Sequence, residues 1–451
     1  MESISVKQAS EKWGINERRV RFLAKNGRIK GAKLVKHSWV IPEDATKPNI
    51  KDFMESFEQL KYPHFRFSDG KGKFGPFGGQ FMPESFKTFF EPILKKFKEM
   101  IEEEAFKEKA ASFLKETPLY VPKKFNETLG GVKVIIKRED LNVTGSLFVN
   151  QVLPLAMLAK RLGKEKLTVA AGNANYAMAT AYVCHELNLP CRIFIPYTDY
   201  KKQKEAFDKI HMYDPGFLYI CEYDGSLFNA TNYGFRAFFL NDAKDLYCFH
   251  DAIGPAPFPE IVEYSQSVIG HAARRQLKEM GIDRVNVIVA PANVASNALG
   301  IFATFQRTKT RFVVVESSTS NSVMRDGHIC AVAGFRTKTF VQKGVGKFSG
   351  VTTCSATSYP ALAPQIAYRV SQRLYDPAWV TDEEAMQACK EFYELEGIFP
   401  SFEDGYSLAY IKKTAKRMKE GNILMCFTGS GEKDKNYILE MLDNTQNIDN
   451  K

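Results

Sequence analysis

The chain has 451 residues, 44% of them hydrophobic and 25% charged, a balance that suits two or three folded domains and not a disordered polymer. It holds no long uncharged apolar run and no charged-then-apolar N-terminus, so neither a membrane span nor a secretory signal is expected. Eight cysteines without a CxxC pair and seven scattered histidines argue against a disulfide frame or a metal site, and fit the reduced thiols of a cytoplasmic protein.

The formal net charge of +10 is unevenly placed: residues 1–48 carry eleven Lys or Arg against five Asp or Glu, a net +6. Ser5 is a good N-cap for a helix with Val6, Ala9 and Trp13 on one face; Gly14 closes it, and Asn16 caps a second helix carrying Val20 and Leu23. After Gly27, Leu34 and Val35, a Lys36-His37-Ser38 turn, and Trp39, Val40 and Ile41 read as a small hairpin. This order of helix, turn, helix and wing resembles the winged helix-turn-helix modules related to the MerR and excisionase DNA-binding domains. The resemblance implies DNA as a partner. It puts Arg18, Arg19 and Arg21 of the second helix near the major groove and Lys36 and His37 along the backbone, with Lys25 and Arg28 as further contacts. A solvated basic face, or a protein-docking surface, is the competing reading of the same charges.

Pro48 and the polar run after it mark a boundary. Residues 49–71 mix charge with Phe53, Phe57, Tyr62, Phe65 and Phe67, and are expected to form a helical connector, since a flexible linker would carry few aromatics.

Beyond residue 116 apolar strands and amphipathic helices alternate. Strands are predicted at 132–136, 167–171, 191–195, 285–291, 311–316 and 422–428, with helices at 150–162 and 175–187. That alternation predicts a parallel sheet with helices on both faces. Ligands of such sheets bind in the loops at the carboxyl ends of the strands.

One of those loops carries KREDLNVTGSLFVNQ, residues 137–151. It resembles the tryptophan synthase β chain and, more loosely, other fold-type II pyridoxal-phosphate enzymes, where KREDL is followed by G-A-H-K and an Asn. Lys137, Arg138, Glu139, Asp140, Leu141, Gly145 and Asn150 match; His falls on Leu147 and the Schiff-base lysine on Phe148. A phenyl ring cannot form an imine, so the family's nucleophile is missing at that position. The family carries the lysine of KREDL as well, so Lys137 is no replacement.

Six further stretches carry the same resemblance in the same order. GKGKFGPFGGQFMPE (70–84) and ETPLY (116–120) match its opening segments. AAGNANYA (170–177) stands at E-T-G-A-G-Q-H-G, which places Ala170 at the acid/base glutamate and Tyr176 at the histidine, with Gly172 kept. GPAPFP (254–259) follows G-P-H-P-Y-P. PANVASNALG (291–300) stands at the G-G-G-S-N-A phosphate loop, with Asn293, Val294 and Ala295 on the glycines and Ser296 and Asn297 kept. Glu403 matches the family's glutamate, and FTGSGEKD (427–434) follows L-S-G-R-G-D-K-D, with Thr428 at the serine that bonds the pyridine nitrogen. Ser358 stands at an aspartate that helps close the β chain over its substrate.

The fold expected is therefore α/β: a two-lobed, tryptophan synthase β-like fold-type II domain with parallel sheets flanked by helices, plus a small N-terminal winged helix-turn-helix. Its divisions are 1–48, the connector 49–71, the large domain 72–440 with a degenerate active site, and a tail 441–451. The function expected is that of a catalytically inactive relative that regulates transcription by binding DNA as a homodimer. Its former cleft would be open to an amino acid or an indole-like ligand through Thr144, Gly145, Asn150, Gly172, Asn173, Asn175, Tyr176, Ser296, Asn297, Glu403, Thr428 and Gly429. No metal and no cofactor is expected, covalent pyridoxal phosphate included, beyond weak non-covalent binding of that molecule or an anion. Two other readings stand beside it: a pyridoxal-phosphate lyase or synthase with a non-standard lysine, and a structural or interaction protein with an empty cleft.

Overall fold

A computed structural model describes residues 3–14, 17, 20–21, 24, 29, 31–35, 38–45, 71–213, 216–222, 226–241, 244–249, 251–292, 295–319, 323–339, 354 and 359–449. The chain forms two compact units, Met1–Arg66 and Phe67–Lys451. The expected connector, 49–71, lies outside the described residues except for Lys71.

In the first unit a short strand, β1 (Ser3–Ser5), runs directly into helix α1 (Val6–Trp13). Ser5 ends the strand and caps the helix: its hydroxyl accepts the Gln8 N–H, and the Gln8 side chain accepts the Ser5 N–H. Gly14 closes the helix at φ 62°, a left-handed position that suits glycine. Strands β2 (Lys33–Val35) and β3 (Ser38–Pro42) form the expected hairpin, with Leu34 opposite Trp39. β1 pairs antiparallel with β3 and gives the order β1-β3-β2. That strand is too short for a periodic signal in the sequence. Val6, Ala9, Trp13, Val20, Ala24, Ile29 and Ile41 form the core of this unit. Residues 15–16, 18–19, 22–23 and 25–28 lie outside the description, and with them most of the expected second helix.

The second unit is built on two parallel sheets. The larger has the order β16-β13-β12-β17-β7-β6: β6 is Leu119–Tyr120, β7 Gly131–Arg138, β12 Val287–Pro291, β13 Arg311–Ser317, β16 Asp376–Val380 and β17 Glu420–Phe427. Only the β6–β7 pair is antiparallel. β7 and β17 read as near-continuous apolar runs because helices cover both faces, and they pair over eight residues from Gly131–Glu420 to Arg138–Phe427. The smaller sheet has the order β10-β9-β8-β11, from β8 (Leu167–Ala170), β9 (Cys191–Pro196), β10 (Gly216–Cys221) and β11 (Leu246–Cys248), all parallel. A third, antiparallel sheet, β14-β15-β5-β4, joins the hairpin of β14 (His328–Val332) and β15 (Phe335–Thr339) to β4 (Lys73–Phe74) and β5 (Phe77–Gly78).

The helices that matter for the site follow strand ends. They are α2 (Val149–Arg161), α3 (Ala174–Glu186), α4 (Phe258–Glu279), α5 (Ala295–Phe302), α6 (Phe402–Met418) and α7 (Glu432–Asp449). The last runs on past residue 440, the domain end expected from the sequence. Helix α5 lies tightly on α4: a Cβ on Gly270 would come 2.7 Å from the Gly300 carbonyl oxygen, and one on Gly300 2.7 Å from that of Gln266. Two glycines thus let these backbones approach closely. No described helix is long and apolar enough to cross a membrane, and the described residues hold no His, Cys, Asp and Glu cluster suited to a metal.

Candidate functional site

The loops at the carboxyl ends of β7, β8, β12 and β17 carry the sequence-derived site residues. After β17, Thr428 sits in a buried polar cluster. Its N–H donates to both Asp404 oxygens at 3.1 and 3.0 Å, and its hydroxyl reaches Ser401 at 2.9 Å and Glu403 at 3.3 Å. Glu403 also accepts from Asn173 (3.0 Å) and from the Lys433 ammonium (3.0 Å), which ion-pairs with Asp434 as well. Burial disfavours the charge on Lys433, but Asp434 and Glu403 outweigh burial and raise its pKa. Burial first, then the neighbouring Glu403, pushes Asp404 well above the usual carboxylate range. The cluster also shapes the main chain: Asp434 accepts the Phe402 N–H at 2.9 Å, and a Cβ on Gly431 would fall 2.1 Å from the Pro400 carbonyl oxygen.

The loop from β7 to α2 docks on this cluster. Leu147 N–H donates to the Thr428 carbonyl (2.9 Å), Ser430 N–H to the Gly145 carbonyl (2.8 Å), and Ser146 bridges Gly429. Thr144 and Gly145 turn the chain with φ 67° and 73°. Asn150 joins a buried net with Glu139, Asn142 and Gln266. Lys137, buried on β7, gives its amine to the Thr117 carbonyl and to Gln276 (3.0 Å), and burial lowers its pKa.

At the start of α2 the chemistry changes. Phe148 is 1% exposed and meets the ring of fully buried Tyr176 edge to face, with centroids 5.3 Å apart. Ala170 belongs to an apolar cluster with Phe194, Leu227, Phe228, Phe335 and Tyr359, so β14 and β15 contribute to the surroundings of the acid/base position. A carboxylate there would be buried among mainly apolar side chains.

Both helix N-termini beside these rings are satisfied from within the chain. At α3, Asn173 caps the Asn175 N–H (2.9 Å), the Gln203 side chain accepts the Ala174 N–H (3.0 Å), and the Asn175 amide holds the Ser430 carbonyl (3.1 Å). Gly172 is confined, since a Cβ there would lie 2.9 Å from an Asp199 oxygen. At α5 the Ser296 N–H donates to Asp251 Oδ1 at 2.8 Å, and Asn297 ties its amide to the Cys426 carbonyl (3.0 Å). Burial pushes the Asp251 carboxyl up to about 6, against Ser296 and nearby main-chain N–H groups that favour its charge. Asp251 in turn is close enough to Tyr176 to add to the burial that raises the phenol. Phe148 and Tyr176 thus form one pair, and Asp251 and Ser296 another.

The structure thus brings Phe148, Gly172, Asn173, Asn175, Tyr176, Glu403, Thr428 and Gly429 together, with Ser296 and Asn297 at α5. Asn293, Val294 and Ser358 lie outside the described residues. So do Arg18, Arg19, Lys25, Arg28, Lys36 and His37; Arg21 is described, exposed and paired with Glu17 at 2.5 Å. Asp251, Gln203, Asp404 and Lys433 were not among the candidates. Lys433 and Asp404 were legible as charges next to Asp434 and Glu403, but nothing local marks Asp251 or Gln203, whose partners are 45 and 29 residues away.

A family described as "Pyridoxal-phosphate dependent enzyme" matches residues 111–429. The chain is also 31% identical over 388 residues to the "Tryptophan synthase beta chain" of Bacillus subtilis (strain 168), covering 82% of this chain and 96% of that one. The expectation of no cofactor is corrected by these matches, because family and relative both point to pyridoxal phosphate. The described residues fit that group at one end, where Thr428, Glu403 and Lys433 give polar contacts. They do not fit it at the other, where Phe148 offers no amine and Asp251 holds the Ser296 N–H. With its sheets, its loop cluster and both matches in agreement, the chain belongs to the pyridoxal-phosphate-dependent enzyme family.

Proposed function

We propose that this chain is a catalytically inactive, tryptophan synthase β-like protein that regulates transcription by binding DNA through residues 1–48. The observation that carries the first half is Phe148: the position that should offer a nucleophile offers a buried ring packed on Tyr176. Ala170 supports it, since an alanine side chain carries no proton to transfer at the second position. The second half rests on the +6 charge of residues 1–48 and on their resemblance to winged helix-turn-helix modules. A homodimer would present two such modules to a two-half-site operator. An amino acid or indole-like ligand in the cleft would bias binding by a coupling of about 1–3 kcal/mol.

Selection of duplexes from a random pool by the full-length protein tests the DNA claim. The expected result is one enriched sequence with two half-sites, bound less tightly as salt rises. Absence of any enriched sequence at low salt contradicts it. Family membership favours a second reading, an active enzyme that uses another lysine. Borohydride trapping followed by peptide mapping separates the two, because it would name that lysine.

A further inference from the structure

The N-terminus of α5 carries Ser296 and Asn297 and is held by Asp251. It follows β12, an interior strand of the larger parallel sheet, at the carboxyl end where such sheets hold ligands. Main-chain N–H groups and the helix dipole make that position suited to an anion, and to a phosphate above all. In this chain the anion is already present. Asp251 is fully buried, stands at φ 57° in the left-handed region, and places Oδ1 2.8 Å from the Ser296 nitrogen. Its Oδ2 has no hydrogen-bond partner among the described residues. A non-glycine residue held in that conformation with half its carboxylate unsatisfied is poorly explained as packing alone.

We infer that Asp251 is a built-in anion that occupies the phosphate position of the cleft and sets its ligand preference against phosphate esters. A phosphate brought to α5 meets a carboxylate already holding the Ser296 N–H, and two buried anions cannot share that donor without large mutual repulsion. Uncharged or zwitterionic ligands that do not need α5 escape the penalty. Asp251 is then a specificity-determining residue. The inference rests on reading this as the family's cofactor cleft, but not on the loss of activity: turnover by the wild-type chain would defeat the function proposed above and leave the role of Asp251 untouched.

The test uses pyridoxine phosphate and pyridoxine, which carry the cofactor's ring without the aldehyde and so differ only in the phosphate. Dissociation constants are measured by calorimetry at pH 8 on the full chain, for wild type, Asp251→Asn and Asp251→Ser. Asp251→Asn keeps an acceptor for the Ser296 N–H and the side-chain shape; an unchanged thermal unfolding profile shows that each variant folds. In wild type the two ligands should bind within about threefold of each other. Either variant should favour the phosphate ester by about tenfold or more, because the buried negative charge that repels the phosphate is gone. Inorganic phosphate should raise the unfolding temperature of the variants and not of wild type. A wild-type chain that already favours the ester tenfold, or variants whose ratio and phosphate response match wild type, including no binding by any of the three, would overturn the inference.

Discussion

At the end of β17, Glu403, Thr428, Asp404 and Lys433 hold one another through hydrogen bonds and ion pairs, whereas at the start of α2 Phe148 and Tyr176 meet ring to ring and Ala170 lies among phenyl groups. The two regions adjoin through the Leu147 N–H and the Thr428 carbonyl, and both are buried. The polar residues also hold main chain, Asp404 the Thr428 N–H and Asp434 the Phe402 N–H, so loop geometry depends on them whether or not a ligand is bound. At positions 148 and 170, by contrast, the side chains are engaged in apolar packing. A group that serves only a reacting atom can be replaced by a well-packed apolar one at no cost to the fold. A group that also satisfies buried backbone cannot.

The sharpest way to break this comparison is Lys433→Met. It leaves Glu403 and Asp434 buried beside no cation and should cost about 3–5 kcal/mol in denaturant unfolding; a loss under about 1 kcal/mol would mean the polar end is not structural. Ala170→Glu is the converse, a carboxylate among the rings of Phe194, Phe228 and Phe335. It should lower stability by about 3 kcal/mol at pH 8, and less at pH 4 where it is protonated.

Asp251, on the Ser296 N–H, gives a pH signature. Its carboxyl is raised from an ordinary 3.8 to about 6, so the unfolded chain releases this proton first. The resulting penalty is absent below about pH 4, grows as pH rises, and is complete above about pH 6, on the order of 3 kcal/mol. Asp251→Asn should remove that slope; parallel stability curves for variant and wild type between pH 4 and 7 would contradict it. The smallest effect belongs to Phe148→Leu, which keeps an apolar side chain against Tyr176 and should cost only about 1 kcal/mol in the same unfolding measurement.

Much of this was legible in the sequence. The β-branched runs at 132–136, 285–291, 311–316 and 422–428 are buried on both sheet faces and came out as strands close to those bounds. Ser5 and Gly14 marked the ends of α1 because capping is local chemistry. β1 and β11, three residues each, carry too little pattern to be seen. At the site, the residues at 148 and 170 could be read from motif positions, but what packs on them could not. Phe335 joins the cluster of Ala170, and Asp251 reaches Ser296, only because distant segments meet in three dimensions.

The central claim is that the reacting end of the cleft has lost its chemistry. The most direct measurement is tryptophan formation by the full-length protein supplied with pyridoxal phosphate, with the Bacillus subtilis relative as the positive control. The expected result is no product above the protein-free blank while the control turns over; sustained turnover by the wild-type chain would contradict that claim.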